Sequence, residues 1–346
     1  MTLLARDEAD IVDAQIAFHL HAGVDFVIAT DNASMDGTTE ILERHERAGR
    51  LHLIREPGVD IRQDEWVTRM AHLAATEFGA DWVINTDADE FWWPRGGTLK
   101  DVLATVPDRY GVVRGAWRHF LPRPDDGSFF ADRMTVRLVR PAFPGAKETI
   151  YHAHQKVAHR SDPTVRVAMG NHDVTNVNQS LEPLRAWHPI EILHFSFRSV
   201  AQLEWKCRGG WWNKPWSELA LHQVLLYEAY QAGRLPQYFD SFAVTDELLE
   251  AGCADGTLAV DTRLRDVLRV LRTEQGGFAA ADASGRARST FPRADVADDA
   301  AYAGEASVLV EIDGIVRAES RVDALEERLA SLEHGPLSRL RRLASR

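Results

Sequence analysis

With only two cysteines, Cys207 and Cys253, in 346 residues, the sequence has neither the pairing of a disulfide framework nor the spacing of a thiolate metal site. Reduced thiols in a cytoplasmic protein are the expectation. No apolar run approaches the roughly 18 residues of a membrane span, and Arg6-Asp7-Glu8 near the start is incompatible with a secretory signal. Positive charge is in deficit as well: 40 Lys and Arg stand against 52 Asp and Glu, a formal net charge of −12. Nucleic acid is excluded as a general partner on that ground, because its binding depends on a basic surface that displaces counterions. An acidic chain that handles an anionic ligand needs a metal ion or local basic side chains.

What the sequence does have is an apolar run, Trp82-Val-Ile-Asn-Thr, that ends in Asp87-Ala88-Asp89-Glu90-Phe91, three carboxylates within four residues. Like charges this close repel, so a fold keeps them together where a cation or a proton-transfer task compensates. Oxygen ligands of this kind favour magnesium, manganese or calcium. The competing reading is a solvated acidic turn after an edge strand.

The surrounding pattern favours a site. Thr2–Ala5, Phe26–Thr30, Leu51–Ile54 and Trp82–Thr86 read as strands. Between them lie a helix from Asp10 to Ala22 stopped by Gly23, a helix from Asp36 through His45, and one marked by Trp66, Met70, Leu73 and Ala74. This alternation implies an α/β fold with a doubly wound parallel sheet, whose ligands sit beyond the carboxyl ends of the strands. Asp31-Asn32 and Asp87-Ala-Asp89 both fall on that edge. Further on, Gly111–Trp117, Met134–Leu138 and Thr149–His154 suggest that the sheet continues as a mixed one. Ser199 with Gln202 fits a capping box opening a helix toward Cys207, and Ser217–Gln231 reads as another helix.

The organisation expected is a main domain over 1–240, a helical extension over 241–275, a flexible linker over 276–304, a coiled coil over 305–334 and a basic tail over 335–346. The coiled coil rests on Ile315, Ala318, Val322, Leu325, Leu329 and Leu332 at steps of three and four, and implies self-association or partner recruitment. The tail holds four arginines and no acid, which suits peripheral contact with the anionic inner face of a membrane.

Arg6-Asp7-Glu8, then Asp31-Asn32-Ala-Ser-Met-Asp36-Gly37-Thr38, then Asp87-Ala88-Asp89-Glu90-Phe91, then His194-Phe-Ser-Phe-Arg198-Ser199 follow one another in an order that resembles the inverting glycosyltransferases of family 2, with the GT-A (Rossmann-like) fold. The likeness covers roughly residues 2 to 210. It implies transfer of a sugar from a UDP- or GDP-sugar donor to a glycan or lipid-linked acceptor, assisted by Mn2+ or Mg2+. On this resemblance Asp31 accepts a hydrogen bond from the nucleotide base, with Asn32 assisting or shaping the turn, and Arg6 and Glu8 belong to the substrate site. Asp89 is the direct metal ligand, Asp87 faces ribose or reaches the metal, and His194 completes the metal sphere. Glu90 orients the acceptor or pairs with an arginine, while Arg198 and Lys206 neutralise phosphate oxygens. Phe91-Trp92-Trp93 is either core or a platform for a sugar ring.

An inverting transfer also requires a base for the acceptor hydroxyl. The Glu-Asp pair of the wider family is absent, which leaves Asp173 and Glu191 as candidates. His152 and His154 have zinc-like spacing without an evident third ligand and read as incidental. The first strand is short for the family, so a longer natural start upstream is expected. Two other readings compete less well: Trp92 stands where a calcium loop needs glycine, and Glu90-Phe91 on a fourth strand does not suit an aspartate-nucleophile phosphatase. A catalytically degenerate nucleotide-sugar-binding scaffold is the non-enzymatic alternative.

Overall fold

The computed structural model describes residues 1–58, 62–140, 149–177, 180–184, 187–209 and 221–274, and positions 278, 318, 322 and 325. The chain divides into two compact units, Met1–Asp299 and Ala300–Arg346. In the second, Ala318, Val322 and Leu325 are helical and exposed; the coiled-coil and basic-tail expectations otherwise lie outside the described residues, as does nearly all of the linker.

The first half alternates as the sequence predicts: β1 (Thr2–Ala5), α1 (Val12–His21), β2 (Val27–Asp31), α2 (Thr38–Arg47), β3 (Leu51–Arg55), α3 (Gln63–Thr76) and β4 (Trp82–Asp87). There follow β5 (Glu90–Pro94), α4 (Leu99–Ala104), β6 (Val112–His119), α5 (Phe130–Arg133), β7 (Val136–Leu138), β8 (Gln155–Arg160), β9 (Arg166–Val167) and β10 (Val174–Thr175). Then come β11 (Ile190–His194), α6 (Val200–Arg208), α7 (Leu221–Gln231), α8 (Leu235–Asp240), α9 (Asp246–Asp255), β12 (Leu258–Val260) and α10 (Arg263–Glu274). The main sheet is mixed, in the order β3-β2-β1-β4-β8-β6-β11-β5. Its first four strands are parallel, and antiparallel pairing begins where β8 joins β4.

The sheet is strongly curled, and the chain itself shows why. β4 and β5 stand four places apart in the sheet yet are joined by Ala88 and Asp89 alone. Strands four places apart in a flat sheet are separated by about 19 Å, whereas three Cα steps reach at most about 11 Å. The far edge must therefore bend back toward β4. Where β6 meets β11, Gly115 permits the close approach: an added Cβ would lie 2.8 Å from Cδ1 of Ile192.

Phe91, Trp92 and Trp93 are buried in the main core, with Phe18 of α1 edge-on to Phe91 at 5.4 Å. This removes the sugar-platform reading of the aromatic run. Residues 241–274 are part of the body, since β12 pairs with β7 and α10 buries Leu264, Leu268 and Leu271 in that same core. Thr149–His154 forms no named strand: Thr149 accepts from the Tyr151 N–H through Oγ1 and pairs with Nδ1 of His152 through its carbonyl, fixing a turn just before β8.

Candidate active site

The parallel register brings Leu4, Thr30 and Asp87 level across β1, β2 and β4. A cleft of about 180 Å³ opens beyond these ends. β1 and the residues after it contribute Leu4, Arg6 and Glu8, and the turn after β2 contributes Asn32. Gln63 and Trp66 come from the first turn of α3, Asp87, Ala88 and Asp89 from the acid loop, and Lys206 from α6.

Among the described residues three that are not glycine have left-handed backbones, Asp7 (φ 54°), Ala33 (φ 53°) and Asn171 (φ 60°), a conformation that costs L-residues about 1–2 kcal/mol. Each adjoins this cleft in sequence or contact: Asp7 lies between Arg6 and Glu8, Ala33 follows Asn32, and Asn171 donates to Oδ1 of Asp87 at 3.1 Å. Strain of this kind concentrates where a site demands a particular geometry.

The loop after β1 is held by the turn after β2. Asp7 accepts from the Met35 N–H at 2.7 Å, Glu8 N–H donates to Oγ1 of Thr38 at 2.8 Å, and Ala9 N–H donates to Asp36 at 2.9 Å. Asp36-Gly37-Thr38 thus shapes the loop. Asp31 is buried and does not line the cleft; its oxygens accept from Ser34 N–H at 3.2 Å and Thr39 Oγ1 at 2.5 Å. Asn32 does line it, accepting from Arg6 Nη1 at 3.1 Å while donating to the carbonyls of Glu56 and Gly58.

The three acids have unequal surroundings. Asp87 accepts from Gln63 and Asn171 and pairs with Lys156. Glu90, fully buried, accepts from Trp117 Nε1 at 2.8 Å and from the Asp87 N–H at 3.0 Å, with Lys156 Nζ at 3.0 Å. Burial pushes its carboxyl up, and the Lys156 ammonium opposes this. For Asp89 burial acts the same way, but His194, Lys206 and Arg198 outweigh it and hold the group well below the usual carboxylate range. Its Oδ2 lies 3.6 Å from His194 Nε2 and 3.9 Å from Lys206 Nζ.

Ligand atoms of Asp89, Glu90 and His194 lie within 4.8 Å of one another. Two carboxylates and an imidazole suit Mn2+ or Mg2+, so the donor set fits a divalent cation. Asp87, expected among the ligands, is outside this group; its oxygens face Lys156, Gln63 and Asn171. Arg198 is fully buried behind the cleft, donating to Asp10 at 2.7 and 2.8 Å and pairing with Glu8. It therefore braces the site from behind. Lys206, 3.7 Å from Glu8, is the cation that reaches the cleft wall from α6.

Neither candidate base lines the cleft. Glu191 has the opposite strand parity to His194 on β11 and is enclosed by Arg95 at 2.6 Å, Arg118 at 3.3 Å and Arg263 at 3.2 Å. Burial alone would raise its pKa, but these guanidinium groups outweigh that and hold it near 2. Asp173 pairs with Arg114 at 3.0 Å. Lys156, Gln63, Trp66 and Asn171 are the contributors that sequence reasoning missed. A lysine beside Val157-Ala158 in β8 was the available signal.

A family profile, glycosyltransferase family 92, matches residues 4–229. The chain belongs to glycosyltransferase family 92. The motifs had suggested family 2; short acid motifs on one sheet edge report a strand order and a chemistry, and neither separates one family from another. No curated protein matches this family 92 chain. Among solved structures, one titled as a mycobacterial protein is 24% identical over 34% of this chain and 40% of that one, with a TM-score of 0.25. S. aureus TarS 1–349 in complex with UDP-GlcNAc is 10% identical over 79% of this chain and 91% of that one, with a TM-score of 0.33. Its complex with UDP is 11% identical over the same shares, with a TM-score of 0.31. Among the described residues no helix is long and apolar enough to cross a membrane.

Proposed function

We propose that this family 92 chain transfers a sugar, with inversion, from a UDP- or GDP-sugar bound in the cleft to a glycan or lipid-linked acceptor. The observation that carries the reading is the pairing, at the carboxyl ends of three parallel strands, of two cationic side chains, Arg6 and Lys206, with the Asp87-Ala88-Asp89 loop. The donor's diphosphate gains negative charge as the glycosidic bond breaks, and fixed positive charge aimed at it lowers that barrier. Lys206 provides an ammonium there. Arg6 is anchored through Asn32, and the first turn of α3 adds the positive end of a helix dipole. Asp87, oriented by Gln63 and Asn171, is placed to accept from ribose hydroxyls.

Asp89, His194 and Glu90 would hold Mn2+ or Mg2+, which supplies further charge stabilisation to the departing diphosphate when bound. Thermal shift with UDP- and GDP-sugars, in Mn2+ and in chelator, tests the reading. Stabilisation that needs the metal and disappears in Asp89→Asn is expected, and no shift with any nucleotide sugar would overturn it. One observation favours a binding-only scaffold, namely that Asp173 and Glu191 are both engaged by arginines away from the cleft. Donor binding without nucleotide release, across a panel of acceptors, would select that reading.

A further inference from the structure

We propose that a second copy of this chain docks, parallel and in register, on the helical face that carries Ala318, Val322 and Leu325, so that two identical chains form a two-stranded coiled coil. This is independent of the catalytic reading above. The three residues belong to the second compact unit and are helical, and Val322 and Leu325 are 52% and 59% exposed. Steps of four and three place them on one side of a helix.

In the sequence the same spacing extends both ways, to Ile315 on one side and to Leu329 and Leu332 on the other. Gly314 stands before the run and Gly335-Pro336 closes it. With Ile315, Val322 and Leu329 at the a positions of a heptad, Ala318, Leu325 and Leu332 fall at d. β-Branched residues at a with leucine at d favour two strands over three or four. The positions turned away from the seam include Arg317, Ser320, Asp323 and Glu327, so the apolar surface is a single stripe.

The charges beside the stripe identify its occupant. An acid follows each d residue, Glu319, Glu326 and Glu333 at e, and an arginine precedes Val322 and Leu329, Arg321 and Arg328 at g. In a parallel pair in register each g residue faces the e residue five positions on in the other chain. Arg321 then meets Glu326 of the partner subunit and Arg328 meets Glu333 of the partner subunit, on both flanks of the seam. An antiparallel pair sets g against g and e against e, which brings arginine to arginine and glutamate to glutamate. Attraction in one arrangement and repulsion in the other select an identical chain running in the same direction.

Sedimentation equilibrium of the full chain tests the proposal. The seam covers fewer than three heptads, so a dimer that dissociates on dilution is expected. One variant carries Arg321→Glu with Arg328→Glu and another carries Glu326→Arg with Glu333→Arg. Each turns attraction into repulsion and is expected to weaken self-association by more than about tenfold, while the two mixed in equal amounts should pair with each other. Leu332→Cys in a Cys253→Ser background reads the direction without disturbing the charges. Parallel pairing brings the two introduced thiols within reach of a disulfide, whereas antiparallel pairing holds them about 27 Å apart, so a covalent dimer on mild oxidation is expected. A chain that stays monomeric at every concentration, a dimer that both charge variants retain at full strength, or a dimer without the cross-link would overturn the proposal.

Discussion

Lys156 Nζ lies 3.0 Å from Glu90 Oε1, and neither side chain is more than 1% exposed. The same ammonium meets Asp87, so a single buried cation compensates two of the three clustered acids. Removing one member of a buried pair leaves the other charged and desolvated, at a cost of about 3–5 kcal/mol. Lys156→Met is therefore expected to lower unfolding free energy by that amount in urea titrations. Adding Glu90→Gln should recover a large part of the loss; a double variant as unstable as the single one would show that the charge pair is not the cause.

Lys206 is the partly exposed cation of the cleft, at 23% side-chain exposure, and its contacts to Glu8 and Asp89 are long. Lys206→Gln should leave the melting temperature almost unchanged. Donor affinity should fall about tenfold, equivalent to about 1.4 kcal/mol, as read by calorimetric titration with UDP- and GDP-sugars.

Asn171 combines a left-handed backbone with a hydrogen bond to Asp87. Glycine adopts that conformation without strain, so Asn171→Gly removes the bond while keeping the loop. Stability is expected to change by less than about 1 kcal/mol. Donor binding should weaken several-fold, and equal affinity in the two proteins would show that Asn171 does not orient Asp87.

Glu191 gives the fold a specific acid sensitivity. Its carboxyl titrates near 2 when folded, against an ordinary value of 4.5. Between these values the unfolded chain binds a proton that the folded chain does not. The stabilisation, about 3 kcal/mol at about 1.4 kcal/mol per pH unit, is full above pH 4.5 and is lost as pH falls toward 2. Denaturation midpoints measured from pH 6 down to pH 3 should fall more steeply for the unmodified protein than for Glu191→Gln.

The parallel half of the fold was legible because each strand and helix there carries its own period and its own stop, as with Gly23 after α1 and the carboxylates after β4. The curl was not. It depends on β11 arriving between β6 and β5, a pairing that no local pattern announces. The acid loop was legible for the same local reason, and so was the grouping of His194 and Arg198 on one stretch of chain. Their different surroundings were hidden: His194 meets Trp117 and Asp89, and Arg198 meets Glu8 and Asp10, all from segments distant in sequence. Glu191 looked like a base because it stands three residues before His194; alternation along a strand gives it the opposite parity, among arginines.

The two-residue link between β4 and β5 also has a consequence for synthesis. β1 to β4 can pair as soon as they emerge, whereas Glu90–Pro94 finds its partner strand only at Ile190–His194. Until then Phe91-Trp92-Trp93 is an apolar strand without a neighbour, open to pairing with other chains. The connection that assembles the acids at the cleft thus leaves a nascent chain with a sticky edge, and yield from expression should depend on chaperone supply more than the stability of the finished fold would suggest.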